Sequence, residues 1–258
     1  MPDFLFLLLK YYKIKYGEYL IAENTSLLQV LRVITSGRQN LIRIFIPEGW
    51  SVRQILDFIA LKKELSGPLP DVSPNEGSLL PGTYLCVKGT SAIKLLNYIT
   101  KQTQLVHDLL WKKAKNTWKS REEWVTVASI LEKEGYDRAD KETIAGVILN
   151  RLNKNMKLQI DATLLYSKTG GKYDSGLTWK ELTYGQFENG APYDTQYNTY
   201  LHTGLPPGPI TNPSRESLEA AANPRPSNYL YYRLANGRHY FSTTFQEHKS
   251  AMKLAVPV

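Results

Sequence analysis

Hydrophobic positions along the chain repeat mostly at helical spacing, interrupted by short alternating runs. After Asn24-Thr25-Ser26, whose side chains can cap a helix N-terminus, Leu27, Leu28, Leu31 and Ile34 recur every three to four residues, and Gly37 closes the helix they predict. Gly17-Glu18-Tyr19-Leu20-Ile21 reads as a short strand. Leu41-Ile42-Arg43-Ile44-Phe45-Ile46 reads as a second, turning at Pro47-Glu48-Gly49 into a helix opened by Ser51 and continued through Ile55 and Ile59. Residues 65–89 are rich in Gly, Pro and Ser and predict a linker or irregular segment, although Leu79-Leu80-Pro81-Gly82-Thr83-Tyr84 is apolar enough to pack down. A helix over 91–113 follows, with Leu95, Ile99, Val106, Leu109 and Leu110 as its inner stripe.

The second half opens on Ser120 and Glu123, the spacing of a capping box. The helix it starts runs through Val125, Val127, Ala128, Ile130 and Leu131 to Glu134, and Gly135 ends it. Asp140 is placed to cap the next helix, with Ile144, Val147, Ile148 and Leu152 inside. Asp161 is placed to cap a third, ending at Gly170-Gly171. From about Tyr184 to Pro213, Gly, Pro, Asn and Tyr replace periodicity, and an irregular stretch of that length in a compact chain is commonly functional. Ser214 begins a short helix that stops by Pro224. Residues 229–234 and 238–242 form a hairpin around Asn236-Gly237, and Thr244 with Glu247 caps the last helix.

Composition narrows the class. With 42% apolar residues the 258-residue chain can bury a core, and a single Cys excludes a disulfide scaffold. No apolar run approaches the ~18–20 residues that cross a bilayer. Phe4-Leu5-Phe6-Leu7-Leu8-Leu9 stops at Lys10 and follows Asp3, which suits a buried amphipathic helix better than a targeting segment. The formal charge of +8 admits nucleic acid, anionic membrane or an acidic polymer as partner. No zinc-finger, basic-zipper or RNP-type pattern supports nucleic acid. The densest basic cluster, Lys112, Lys113, Lys115, Lys119 and Arg121, suits the end of a helix.

Elimination leaves carboxylates. His107, His202, His239 and His248 lack metal-ligand spacing, Cys86 lacks a base, and no phosphate-binding loop or other cofactor motif occurs. Glu134 shares a helix face with Val127, Ile130 and Leu131, whereas Glu132 faces Val125 and Ala128. Desolvation and the negative end of the helix both favour a protonated Glu134, the state a general acid needs. The same residue could instead end its helix in water, paired with Lys133 or Arg138. Gln159 and Asp161 follow, and Tyr197-Asn198-Thr199-Tyr200 offers rings and polar tips of the kind that bind sugars.

These residues together carry a resemblance. Ala128-Ser129-Ile130-Leu131-Glu132-Lys133-Glu134, Ala145-Gly146-Val147-Ile148-Leu149-Asn150-Arg151-Leu152, Met156-Lys157-Leu158-Gln159-Ile160-Asp161, Tyr197-Asn198-Thr199-Tyr200, Thr203-Gly204-Leu205-Pro206-Pro207-Gly208-Pro209-Ile210, Asn212-Pro213 and Phe241-Ser242-Thr243 with His248 resemble the YceG-like endolytic murein transglycosylases in order and spacing. Ile46-Pro47-Glu48-Gly49-Trp50-Ser51 is similar to the LysM-like portion that precedes their catalytic part. The resemblance implies an α+β fold with a small LysM-like βα module at 1–64, lacking its opening strand and helix. A connecting region and helix at 65–119 follow, then a helix-rich catalytic domain at 120–258 ending in the β-hairpin. It implies cleavage of the MurNAc-β-1,4-GlcNAc bond of nascent peptidoglycan strands, with 1,6-anhydro-MurNAc ends that terminate elongation. Glu134 would be the catalytic residue. Glu132, Asn150, Gln159, Asp161, Tyr197, Asn198, Thr199 and Tyr200 would bind substrate or support it, without metal or cofactor. Its partners would be glycan strands and peptidoglycan synthases at the membrane, and its place the bacterial cell envelope, where members are held by an N-terminal anchor. Gly135 stands where these proteins commonly have Thr, and Ala162 where Pro usually follows the Asp. A non-catalytic peptidoglycan-binding protein is the alternative reading.

Overall fold

The structure is a computed structural model that describes residues 19–37, 40–172 and 195–253. The apolar Phe4–Leu9 run, the first two residues of the strand expected at 17–21 and part of the irregular stretch after Tyr184 lie outside the described residues. Residues 19–22 carry no strand.

Helix α1 (Leu27–Ser36) is held at its start by a reciprocal Ser26–Gln29 capping box and at its end by Gly37 in the left-handed conformation. Strand β1 (Leu41–Ile46) alternates, burying Ile44 and Ile46 and exposing Phe45. A second capping box, Ser51–Gln54, starts α2 (Val52–Ala60), which buries Val52, Ile55, Leu56 and Ile59. The Gly/Pro-rich stretch expected to be irregular contains strand β2 (Gly82–Val87), antiparallel to β1 from Leu41↔Val87 to Ile46↔Gly82. Its flanks disguise it, but pairing with β1 supplies its hydrogen bonds and Tyr84 turns inward.

Helix α3 (Ala92–Ala114) runs 23 residues, about 35 Å. Ala92, Leu95, Leu96 and Ile99 close a first core with Ile44, Ile46, α2 and Leu79, while Leu110 and Ala114 enter a second core. The inner stripe departs from the expected one at two turns. Leu109 is exposed, and Thr103 and His107 are buried instead. Thr103 can be buried because its hydroxyl donates to the Ile99 carbonyl (2.9 Å) and accepts from the Leu80 amide (2.8 Å).

The second core surrounds α4 (Arg121–Glu134), which is buried continuously from Trp124 to Leu131. Ser120 accepts from the Glu123 amide, but Glu123 returns its carboxylate to Lys119 rather than Ser120. Helix α5 (Arg138–Asn153) is capped by Asp137, which accepts from the Asp140 amide at 2.9 Å; Asp140 sits one turn inside, not at the cap. Helix α6 (Asp161–Thr169) starts without a side-chain cap, Ile160 occupying that place, so Asp161 is not a cap. Helix α7 (Arg215–Ala222) lies against α4 and α5. Its Leu218 and Ala221 carbonyls accept from the indole N–H groups of Trp124 (3.0 Å) and Trp118 (2.7 Å). Strands β3 (Tyr231–Ala235) and β4 (Arg238–Ser242) form the hairpin, with Asn236 and Gly237 both at positive φ as a type I′ turn requires. Helix α8 (Phe245–Lys253) follows the Thr244–Glu247 box. The architecture is mixed α+β, mostly helical, with two two-stranded sheets among the described residues. No helix among them is long and apolar enough to cross a membrane.

Gly135 ends α4 for a reason other than the expected left-handed cap: its φ is −97°. A Cβ there would lie 2.3 Å from Lys141 Cγ and 3.3 Å from Lys141 Cα. Lys141 is itself buried and paired with Glu216 at 2.9 Å. Gly135→Ala is therefore expected to lower stability by about 1–3 kcal/mol, the range for overpacking. Chemical unfolding checks this, and an unchanged midpoint would show that Lys141 moves freely.

Candidate active site

Glu134 occupies the last turn of α4, where the buried run carries its carboxyl into the protein instead of releasing it to solvent. Burial is the main cause that pushes its pKa from 4.5 up to about 7, and the neighbouring Asp161 carboxylate pushes it further the same way. Two donors oppose them. The Tyr232 hydroxyl donates to Oε2 at 3.1 Å, and the Ala162 amide also hydrogen-bonds to the carboxyl. The group opens onto a cavity of about 900 Å³ walled by the end of α4, the start of α6, Tyr200, the hairpin and α8.

Gln159, Asp161 and Tyr200 share that cavity. Gln159 has φ +50°, a turn held by its amide donating to the Thr199 carbonyl (3.1 Å). Asp161, freed from capping, accepts from the Tyr200 hydroxyl and sits in the first turn of α6, where a carboxylate is favoured. The desolvated Tyr200 phenol, beside Asp161, is pushed well above its ordinary range and stays a donor.

The other expected residues lie around the cavity. Glu132 points to the opposite joint, where Oε2 accepts from both the amide (2.8 Å) and hydroxyl (2.6 Å) of Ser214, the cap of α7. Asn150 donates to the Ser227 and Tyr229 carbonyls at 2.8 and 2.9 Å. Asn198 is buried, its Oδ1 accepting from the Tyr200 amide (3.0 Å). Thr199 is buried too; its hydroxyl accepts from the Ile160 amide (3.0 Å) and meets Thr163 Oγ1 at 2.8 Å, joining the 197–200 turn to the start of α6. Tyr197 packs against Tyr166 with ring centres 4.7 Å apart and planes tilted by 46°, and lines a different hollow of about 780 Å³ with Glu76 and His107.

Sequence reasoning missed Arg151, Tyr232 and His239, all lining the cavity of Glu134. Arg151 anchors the approach to β3, donating through Nε to the Leu230 carbonyl (2.5 Å) and through Nη1 to the Leu158 carbonyl (2.7 Å). His239 Nδ1 lies 2.8 Å from Asp140 Oδ2, fixing β4 to the first turn of α5. Period-two alternation in the hairpin was the one available signal for Tyr232, but it does not say which face meets a helix. Among the described residues no group of three or more His, Cys, Asp and Glu side chains is placed to hold a metal ion.

Fold and cavity together define a mixed α+β protein in which Glu134, a carboxyl pushed up to about 7 by burial, opens onto a cavity shared with Gln159, Asp161 and Tyr200. The chain belongs to the YceG-like family, whose pattern matches residues 3–254. It is 32% identical over 267 residues to an endolytic murein transglycosylase of Bacillus subtilis, covering 91% of this chain and 71% of that one. An endolytic murein transglycosylase of Streptococcus pneumoniae is 31% identical over 175 residues, covering 67% of this chain. The chain thus spans about a third of that longer relative, 31% of its length. A crystal structure of a yceG-like protein from Listeria monocytogenes superposes with a TM-score of 0.63 at 32% identity, over 92% of this chain and 85% of that one.

Proposed function

We propose that the protein is an endolytic peptidoglycan lytic transglycosylase with Glu134 as general acid and then base. The observation that carries the reading is the placement of Glu134 at the end of α4, held by the Tyr232 hydroxyl and opening with Gln159, Asp161 and Tyr200 onto a cavity large enough for sugar rings, with burial favouring its protonated form. Protonated Glu134 gives its proton to the glycosidic oxygen as the C1–O bond breaks, releasing the GlcNAc 4-hydroxyl. The MurNAc C6 oxygen then closes on C1, and its proton passes to the Glu134 carboxylate, restoring the acid. No water is consumed, and intramolecular attack gains from proximity.

Asp161 supports a second reading. Hydrolysis of glycosides uses a second carboxylate as base or nucleophile, and Asp161 shares the cavity. Glycan strands incubated with the protein and analysed by mass spectrometry separate the readings. Internal cleavage with 1,6-anhydro ends is expected; reducing ends would mean hydrolysis through Asp161, and intact strands a binding protein.

Strand β1 and helix α2 are read as part of a LysM-like module at 1–64, followed by a connecting region at 65–119, which holds β2 and α3, and a catalytic domain at 120–258. Burial of α3 in both cores would couple the first part to the last. The substrate reading places the protein at the cell envelope, beside the synthases whose strands it would cut, and its +8 charge suits anionic surfaces there.

A further inference from the structure

We propose that Arg151, Arg233 and His248 form a basic corner of the Glu134 cavity that binds a carboxylate carried on the lactyl arm of MurNAc, its own or one of the attached stem peptide. The inference rests on the peptidoglycan reading of this cavity and adds how the strand is recognised within it. The three side chains line the cavity and come from α5, β3 and α8. They meet at Tyr231. The Arg151 guanidinium carbon lies 5.2 Å from the centre of the Tyr231 ring, and the His248 ring stacks on the same phenol with centres 5.4 Å apart. Alternation along β3 puts Arg233 on the face of Tyr231, and its Nη1 donates to the Ala251 carbonyl at 3.3 Å, one turn beyond His248 on α8.

Among the described residues no carboxylate pairs with any of the three. The acids of the cavity are engaged elsewhere, Glu134 with the Tyr232 hydroxyl and Asp161 with the Tyr200 hydroxyl. Basic groups gathered without an acid repel one another. Burial and then Arg233 and Arg151 hold the His248 pKa below its ordinary value, and His248 Nδ1 is enclosed with no hydrogen-bond partner. Structural duties use only part of the donor set. Arg151 spends Nε and Nη1 on the Leu230, Lys157 and Leu158 carbonyls, and Arg233 spends Nη1 at the end of α8. Nη2 of each guanidinium has no protein acceptor among the described residues, and a guanidinium edge suits a carboxylate.

The substrate supplies that anion at the right ring. The acetamido sugars of a glycan strand are uncharged, so a basic corner gains little from the sugars themselves. Negative charge sits on the arm at C3 of MurNAc, as the free lactyl carboxylate or as the carboxylates of a peptide amide-linked to it. The same ring carries the C1–O bond that Glu134 would protonate, so a corner sharing the cavity with Glu134 is placed to hold the arm while the bond is cut.

Three forms of glycan strand test this: strands bearing stem peptides, strands freed of peptide so that the lactyl carboxylate is exposed, and strands whose carboxylates have been converted to amides. Wild type should cleave carboxylate-bearing strands with kcat/KM roughly tenfold above that for amidated strands, mainly through KM, the size of one charge-assisted hydrogen bond. In Arg233→Gln the ratio should fall to within about twofold of unity. A preference lost on peptide-bearing strands assigns the corner to the stem peptide, and one lost on peptide-free strands assigns it to the lactyl group. An equal preference in wild type and variant, or none in wild type, overturns the proposal. If Arg233→Gln fails to fold, the imidazole NMR signals of His248 in the wild type carry the test. N-acetylmuramic acid or N-acetylmuramyl-L-alanyl-D-isoglutamine should raise its titration midpoint by about one pH unit, and their amides should not. A midpoint unmoved by the acids overturns the corner. Calorimetry of the same strands with Glu134→Gln separates the corner from the reading beneath it. Carboxylate-dependent binding by a protein that makes no anhydro ends removes the transglycosylase reading and leaves the corner, whereas anhydro ends made without carboxylate preference do the reverse.

Discussion

Glu134→Gln is expected to abolish release of anhydro ends, with a rate loss on the order of a thousandfold or more, while raising thermal stability at alkaline pH. The rate loss follows from removing the proton donor, since general acid–base catalysis contributes roughly 10²–10⁴. The stability gain follows from linkage. The Glu134 carboxyl has a pKa near 4.5 when exposed and about 7 when folded, so the native state binds the proton more tightly than the unfolded chain does. Below pH 4.5 both states hold the proton and nothing is lost. Between 4.5 and 7 the unfolded chain releases it first, so stability falls as pH rises, and above 7 the native protein carries the full cost of a buried charge. A shift of this size corresponds to about 3 kcal/mol. Glutamine keeps the shape and the Tyr232 contact without the charge, so part of that cost disappears. The melting point of the variant should exceed wild type by about 5 °C at pH 8 and match it near pH 4. Glu76, also pushed to about 7 by burial, gives the wild type a similar slope, but it is common to both proteins and cancels in the difference. Retained activity would remove Glu134 from the mechanism, and an equal gain at both pH values would mean that burial of its charge is not the cause.

Local signals in the sequence were legible at the serine caps and the hairpin turn, whereas the expected caps Asp140 and Asp161 were displaced by Asp137 and Ile160. Ser26, Ser51, Ser120 and Ser214 each cap the helix expected after them, and Asn236-Gly237 turns the hairpin. Long-range decisions were not. Strand β2 is a strand because β1 pairs with it, and nothing within its Gly/Pro-rich surroundings carries that information. The same division runs through the site. The neighbours of Glu134 on an apolar helix face already indicate desolvation, which is the larger cause of its raised pKa. The donors that oppose this, Tyr232 and Ala162, arrive from a hairpin and from another helix. Tyr232 follows Tyr229 and Tyr231 closely in sequence, and only the packing of β3 against the helices distinguishes them. Tyr197 and Tyr200, expected as one sugar-binding group, diverge because the turn between them sends one ring to Tyr166 and the other to Asp161. Asn150 and Arg151 show the finest limit of a one-dimensional reading. The residue expected at the site grips backbone outside it, and its neighbour lines the cavity.

Asn212→Ala is expected to be among the most destabilising single changes, costing about 2–5 kcal/mol, because one buried amide joins the two cores. Its Oδ1 accepts from the Leu79 amide at 2.8 Å, and its Nδ2 donates to the Trp50 carbonyl at 3.0 Å, with Glu76 Oε2 at 3.4 Å. Leu79 and Asn212 are fully buried, so water cannot replace the lost partner of the Leu79 amide. The melting point should drop by about 10 °C. Asn212→Asp separates hydrogen bonding from charge at the same place. An aspartate keeps the acceptor for Leu79 but turns a second oxygen toward the Trp50 carbonyl and the Glu76 carboxyl, where the amide donated. Glu76 resists ionisation below about pH 7 because it is buried, and the Val52 amide and the nearby Lys133 only partly offset this. At pH 5 Glu76 holds its proton and can donate to the new carboxylate, so the Asp variant should outlast the Ala variant. At pH 8 two carboxylates face each other, and its deficit should grow while that of Ala stays level. Urea unfolding of both variants at the two pH values measures the crossover. Parallel deficits would mean that Glu76 and residue 212 do not share this joint, whereas a crossing places the proton of Glu76 at the seam that holds the β1–α2–β2 unit against the helices bearing Glu134.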